Sequence, residues 1–487
     1  MNVVFLMNDS LRRDHVNAYG VPPPWKRIGR EGEPFIHTPN LDRLAGESAV
    51  FDRCYCASYP TIPNRYDLLA GRYGFPTRGW QPLLHEDVIL PEIVRAHGYL
   101  PMTIFDMPGL NTNDYNFNRG FAIWRAIRGQ LGDGFTIDTV DRPLPAAARK
   151  LRVIPTTKQF LRNRSRWQYE RDYMCGQTLS AAMDLLEDNW TRDGFVLWID
   201  MWNPHEPFDP PEYDLQRYCE PGYSGDRIIY PQYGRADYLS EKDLNHIRAL
   251  YAGQVTLVDR WVGRFLEKLE TLGLDKNTLV IHTTDHGHLF GDHGLQGKPT
   301  GVLGMLYEVT TRIPLMIRHP GGIGAGRRID AIVQPPDILP TILEFLGVPI
   351  PPSVEGKSLW PLIEGRVDRI RDVAFSGRYS RSFGRPDQVA RMEADAAQFD
   401  GWAGVVRNAE PLTVTTEEWA FICPPADRPR ELYHLPDDPG QTRNLIAERP
   451  EVAAELHRRL IAFLEEHGAD PQRIARYRGD DGRVQES

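Results

Sequence analysis

Long apolar runs are missing from this chain, and no stretch approaches the roughly 20 residues that a membrane-crossing helix needs, so a membrane partner is not expected. Cysteine is scarce. The five present, Cys54, Cys56, Cys175, Cys219 and Cys423, form an odd and scattered set whose one close pair is spaced C-x-C instead of as a zinc framework. Free thiols in a reducing compartment are expected. Surplus positive charge is also lacking: 57 Lys and Arg stand against 66 Asp and Glu, a formal charge of −9, which gives no drive towards phosphate backbones or anionic lipid. Nucleic-acid binding by charge is therefore not expected. The apolar segment Val3 to Met7 has no basic leader before it and no small-residue cleavage site after it, so the expected location is cytoplasmic.

What is present is the composition of an ordinary globular protein. With 41% hydrophobic and 25% charged residues over 487 positions, the chain can bury a large core as one large or two fused domains. Short apolar runs rich in Val, Ile and Phe alternate with amphipathic segments, the pattern of a mostly parallel sheet flanked by helices. Candidate strands are Val3–Met7, Phe195–Asp200, Thr278–Thr284 and Pro314–Ile317. Leu250, Leu257, Trp261, Phe265 and Leu269 recur at helical spacing, predicting a long helix over Leu244 to Leu272. A second helix is predicted from Asp330 to Leu346, and a terminal one from Pro450 to His467. From about Asp372 the scattered Val405, Leu412, Val414, Trp419 and Phe421 suggest a small antiparallel sheet. The expected organisation is a catalytic domain over 1–371 and a C-terminal α+β subdomain over 372–487.

Several candidate strands end beside polar residues able to do chemistry, and in open α/β sheets ligands gather at the carboxyl ends of strands. Asp9 follows the first strand, while Asp285 and His286 follow a later one, a set of ligands suited to a divalent metal. An aspartate in such a place is by itself more often a cap or turn former. Further motifs add weight: Thr61-Ile62-Pro63-Asn64-Arg65 followed by Leu68-Leu69-Ala70-Gly71-Arg72; Thr38-Pro39-Asn40; Pro204-His205-Glu206-Pro207; Thr284-Asp285-His286-Gly287; Gly291-Asp292-His293-Gly294; and Lys298.

In order and spacing these resemble the sulfatase branch of the alkaline phosphatase superfamily over nearly the whole chain. The resemblance implies an alkaline-phosphatase-like mixed, mostly parallel sheet between helices, with a small C-terminal subdomain. It also implies one divalent ion held by Asp9, Thr61, Asp285 and His286; Mn²⁺ or Zn²⁺ suits that set best and Ca²⁺ is tolerated. Thr61 stands at the nucleophile position, with Arg65 beside it and His205, His293 and Lys298 facing the transferring group and leaving oxygen.

Two departures narrow the chemistry. Sulfatases carry a Cys or Ser that becomes formylglycine, and a secondary alcohol cannot yield that aldehyde, so no formylglycine is expected at Thr61. Superfamily members with a threonine nucleophile instead break their covalent intermediate by a second in-line attack. The segment Gly98 to Gly109 offers Thr103, Phe105, Asp106 and Pro108 where sulfatases place a sulfate-binding Lys and His. Asp106, Arg78 and Trp202 are the candidate substrate-binding residues, with Asp106 equally readable as a helix cap. The expectation is a phosphodiester or phosphonate monoester hydrolase acting through Thr61 on a small-molecule ester. A sulfatase without formylglycine and a non-catalytic binding protein are the alternatives.

Overall fold

The computed structural model describes residues 1–26, 34–110, 115–300, 303–378, 411–425 and 429–478. Eight strands build the main sheet: β1 Asn2–Asp9, β2 Ala49–Tyr55, β3 Leu100–Phe105, β4 Ile123–Ala126, β5 Phe195–Pro204, β6 Thr278–Thr284, β7 Arg312–Arg318 and β8 Arg328–Val333. Their spatial order is β8-β2-β7-β6-β1-β5-β3-β4. Only β7 runs antiparallel to its neighbours among these strands. Every residue of β1, β5 and β6 is buried, as expected of central parallel strands covered on both faces.

The alternation along β1 divides two cores. Val4 and Leu6 enter one with Leu250, Val258 and Phe265 of the helix Glu241–Thr271. Val3, Phe5 and Met7 enter the other with Leu339 and Ile342 of the helix Ile338–Leu346. The long helix starts at a capping box in which the Ser240 hydroxyl accepts from Asp243 N while the Asp243 carboxylate accepts from Ser240 N. The segment from Asp330 to Leu346 corrects a sequence expectation. Its first part is β8, whose inward residues alternate, and Pro335-Pro336 separate this strand from the helix that follows.

A second sheet joins Ala374–Arg378, Leu412–Thr415, Trp419–Cys423 and Glu431–His434 in antiparallel order, and the helix Pro450–Glu466 covers it through Leu456, Leu460 and Leu464. Val405, read from sequence as part of this sheet, lies outside the described residues. The strand Ala374–Arg378 also pairs in parallel with Ser58–Tyr59, which forms the edge of this sheet, so the C-terminal subdomain grips the chain immediately before Thr61.

The turn after β6 depends on a close backbone approach. Gly287 N donates to Thr310 O at 2.9 Å, and a Cβ on Gly287 would lie 2.0 Å from the Val309 carbonyl oxygen. Gly287→Ala must push this turn away from Val309 and is expected to lower stability by about 2–3 kcal/mol, measured by denaturant unfolding.

Candidate active site

Strands β5, β1 and β6 are adjacent and parallel, so Asp200, Asp9 and Asp285 reach the same carboxyl edge of the sheet; all three are fully buried. The chain that follows Ser58–Tyr59 enters the helix Thr61–Ala70 with Thr61 as its first residue, and Gly71 closes the helix in the left-handed region at φ 65°. Arg65 lies one turn later on the same helix face and donates from Nη1 to the Thr61 carbonyl at 3.2 Å.

Arg65 is the hub of this edge. Its Nε and Nη2 form a fork on the Asp200 carboxylate at 3.0 and 2.8 Å, Nη1 reaches Asp285 Oδ2 at 2.6 Å, and Nη2 lies 3.3 Å from Asp9 Oδ2. Asp285 Oδ1 accepts from the backbone N–H of Ser10 at 2.9 Å and of His286 at 2.8 Å. The Ser10 hydroxyl donates to Asp9 Oδ1 at 2.7 Å. Burial alone would raise the Asp285 pKa, but His286 and Arg65 hold it well below the usual carboxylate range. Asp9 moves the other way, raised by burial and by the Asp285 charge.

Asp9, Asp285 and His286 offer ligand atoms that all lie within 4.8 Å of one another. The fit to a divalent cation rests on the state of each donor. Asp9 Oδ2 is buried and accepts no hydrogen bond. His286 Nδ1 bonds the Gly287 carbonyl at 2.8 Å, which places the proton there and leaves the Nε2 lone pair for a ligand; burial lowers its pKa to about 4 and keeps the ring neutral. Thr61 Oγ1 lies 3.4 Å from that Nε2.

A second group adjoins the first. Lys298 Nζ is 3.3 Å from Ser10 Oγ, 3.2 and 3.3 Å from the two Glu206 oxygens and 3.4 Å from His288 Nδ1. His205 lies on the Trp202 ring at a centroid distance of 3.7 Å, and its Nδ1 bonds the Glu206 carbonyl at 2.7 Å. Burial, followed by the Lys298 charge, holds His205 and His288 well below the ordinary histidine pKa.

The structure thus brings together Asp9, Thr61, Arg65, Asp285 and His286, with Lys298 and His205 in the adjoining group. Three expectations are corrected. His293 is an exposed residue at φ 55° whose ring stacks on Tyr307 at 3.5 Å; its neighbour Asp292 instead pairs with buried Arg12 at 2.7 Å, and the histidine beside Lys298 is His288. Asp106 has both oxygens occupied, accepting from Trp202 N at 2.5 Å and from the Thr178 hydroxyl at 2.8 Å, so it holds the end of β5 in place. Arg78 pairs with Asp87 at 3.0 Å, donates to the Pro82 carbonyl and lies over Tyr66, a structural anchor. Trp202 donates from Nε1 to the Glu206 carbonyl at 2.9 Å and backs His205. Sequence reading missed Asp200, Glu206 and His288. The signals were an acid inside an apolar strand, the acid of Pro204-His205-Glu206-Pro207, and the second histidine of Asp285-His286-Gly287-His288.

Comparison with known proteins identifies the family. The family model described as Sulfatase matches residues 1–348. The chain belongs to the sulfatase family, within the alkaline phosphatase superfamily. This sulfatase-family protein is 29% identical to an arylsulfatase of Clostridium perfringens over 76% of its own length and 80% of that protein's. It is 28% identical to the multifunctional alkaline phosphatase superfamily protein PehA of Trinickia caryophylli, over 75% and 77% of the two chains. Its fold matches the phosphonate monoester hydrolase of Agrobacterium radiobacter with a TM-score of 0.72 at 22% identity, covering 96% of each chain. Members of the family generally bind a divalent metal, and the donor set around Asp9 provides a place for one.

Two outcomes follow from the buried charges. Asp106 is pushed up to about 7 by burial, against an ordinary value of 3.8, so the folded state retains a proton that the unfolded chain has lost between those values. The stability it contributes is full below pH 4 and is lost as pH rises through 7. Asp106→Asn is expected to flatten the fall in melting temperature across that window, read by thermal scans from pH 5 to 8. Arg65→Ala strands Asp200 and Asp285 in the interior and is expected to cost about 3–5 kcal/mol by denaturant unfolding.

Proposed function

We propose that this protein is a metal-dependent hydrolase of phosphate diesters or phosphonate monoesters, with Thr61 as the nucleophile. The observation that carries this reading is the Thr61 hydroxyl at a helix N-terminus, 3.4 Å from the Nε2 of a neutral histidine that belongs to the Asp9, Asp285 and His286 donor set. The positive end of the helix favours an alkoxide at that place. No rival nucleophile competes among the nearby thiols, since Cys54 and Cys56 are fully buried and burial raises both of their pKa values. Threonine does not give the formylglycine aldehyde, which weighs against a sulfatase mechanism and favours phosphorus, a choice consistent with the fold shared with a phosphonate monoester hydrolase.

A divalent ion held by Asp9, Asp285 and His286, with Thr61 beside it, supplies Lewis acidity when bound; Mn²⁺ or Zn²⁺ suits the mixed nitrogen and oxygen donors. Arg65, through its bonds to Thr61 O and Asp285, sets where Thr61 Oγ1 meets phosphorus. Attack forms the Oγ1–P bond and breaks the bond to the leaving oxygen, and the proton lost from the Thr61 hydroxyl balances the one the leaving oxygen takes up. Water then adds to phosphorus, the Oγ1–P bond breaks, and the threonine hydroxyl recovers its proton. Lys298, beside Ser10 in the adjoining group, is the cation assigned in this reading to a non-bridging oxygen or the leaving group.

The test is turnover of bis-aryl phosphate, aryl phosphonate and aryl sulfate side by side after metal reconstitution. Thr61→Ala is expected to lose at least a thousandfold of the phosphorus activity while keeping its fold, and chelation is expected to abolish turnover until metal is restored. Sulfate turnover far above both phosphorus substrates would replace this reading with a threonine-based sulfatase.

A further inference from the structure

The cations available to an anionic substrate are already partnered. Arg65 spends its guanidinium on Asp200 and Asp285, with Asp9 close by. Lys298 is 7% exposed and faces the fully buried carboxylate of Glu206, both of whose oxygens lie within 3.3 Å of Nζ. His205 Nδ1 at 3.3 Å and His288 Nδ1 at 3.6 Å flank the Glu206 carboxylate. The Glu206 carbonyl is bonded by Trp202 Nε1 and His205 Nδ1, which anchors the residue's backbone. In direct contact at this edge, four buried carboxylates (Asp9, Asp200, Glu206, Asp285) meet two buried cations (Arg65, Lys298), a formal excess of two negative charges. A divalent ion held there would bring that contact set to formal neutrality.

We infer that Glu206 sets the charge selectivity of the site: by cancelling Lys298, it makes the pocket accept singly charged esters and reject doubly charged phosphate monoesters. The inference rests on the reading of this edge as one that binds a tetrahedral phosphorus oxyanion. The physical ground is that an extra negative charge placed in a neutral, water-poor site loses its hydration without gaining a countercharge. Phosphate diesters and phosphonate monoesters carry one charge at neutral pH, whereas phosphate monoesters carry two. Glu206 touches Lys298 and not the reacting atoms, so it acts as a positioning and specificity residue.

Glu206→Gln keeps the size of the side chain and one acceptor for Lys298 Nζ while removing the charge. The kcat/KM for aryl phosphate monoester divided by that for bis-aryl phosphate is expected to rise at least tenfold in Glu206→Gln and to stay within about threefold of wild type in Glu206→Asp. Equal loss on both substrates, with the ratio unchanged, would show that Glu206 only holds Lys298 in place and would overturn the inference. A measurement on the unaltered protein covers a variant that fails to fold. Calorimetry of the metal-loaded protein at pH 8 is expected to show dimethyl phosphate bound at least tenfold more tightly than inorganic phosphate. Equal affinities, or a preference for the dianion, would overturn the inference. Failure of the hydrolytic reading has a separate signature, the absence of phosphorus-ester turnover in wild type, and leaves the binding comparison intact.

Discussion

One guanidinium holds the catalytic edge together. Three parallel strands deliver Asp9, Asp200 and Asp285 to one buried place, and three carboxylates so confined do not stay ionised without a countercharge. Arg65 answers with a fork on Asp200, a short bond to Asp285 and an approach to Asp9. Because Arg65 stands one turn after Thr61, the same contact that neutralises the strand ends also sets the start of the helix and the position of the threonine hydroxyl. The opposite shifts of Asp9 and Asp285 register how incomplete that neutralisation is, and Asp9 Oδ2, which accepts no hydrogen bond, marks where further positive charge fits. Sheet topology, helix start and metal site are in this sense one electrostatic arrangement.

The second layer extends the same logic outward. Asp106 fixes Trp202 through its backbone N–H, Trp202 supports His205 and the Glu206 carbonyl, and Glu206 meets Lys298. Arg12 ties Asp292 and the His288 carbonyl to the residues following β1. The strand Ala374–Arg378 holds Ser58–Tyr59, so the C-terminal subdomain contributes to placing the helix that bears Thr61. Charged groups away from Thr61 thereby control the orientation of the side chains gathered at this edge.

Much of this was legible in the sequence for a physical reason. Asp9, Asp285 and His286 sit at strand ends, where the change from apolar to polar residues is visible, and Thr61 with Arg65 stands in a short motif with helical spacing. Asp200 was read only as the end of the strand Phe195–Asp200, and because the strand in fact continues to Pro204, the polar residues picked out were those of Trp202 to His205. Glu206 was seen only as a neighbour of His205, since a one-dimensional pattern does not reveal the lysine it meets 92 positions later. His293 drew attention by its motif, but the left-handed backbone there turns the chain, and His288 occupies the place beside Lys298. Asp106 and Arg78 looked like pocket residues because sequence does not show their partners, Thr178 and Trp202 for the first and Asp87 for the second. The helix over Asp330 to Leu346 was half right, its prolines marking a boundary between strand and helix.

The central claim is that Thr61 takes the phosphoryl group before water does. The stereochemical course at phosphorus tests it most directly, using a chiral phosphorothioate diester hydrolysed in ¹⁸O-water by the metal-loaded protein. Two successive in-line displacements, the first by Thr61 and the second by water, predict overall retention of configuration at phosphorus. Inversion would mean that water attacks phosphorus in a single step, and would contradict the account.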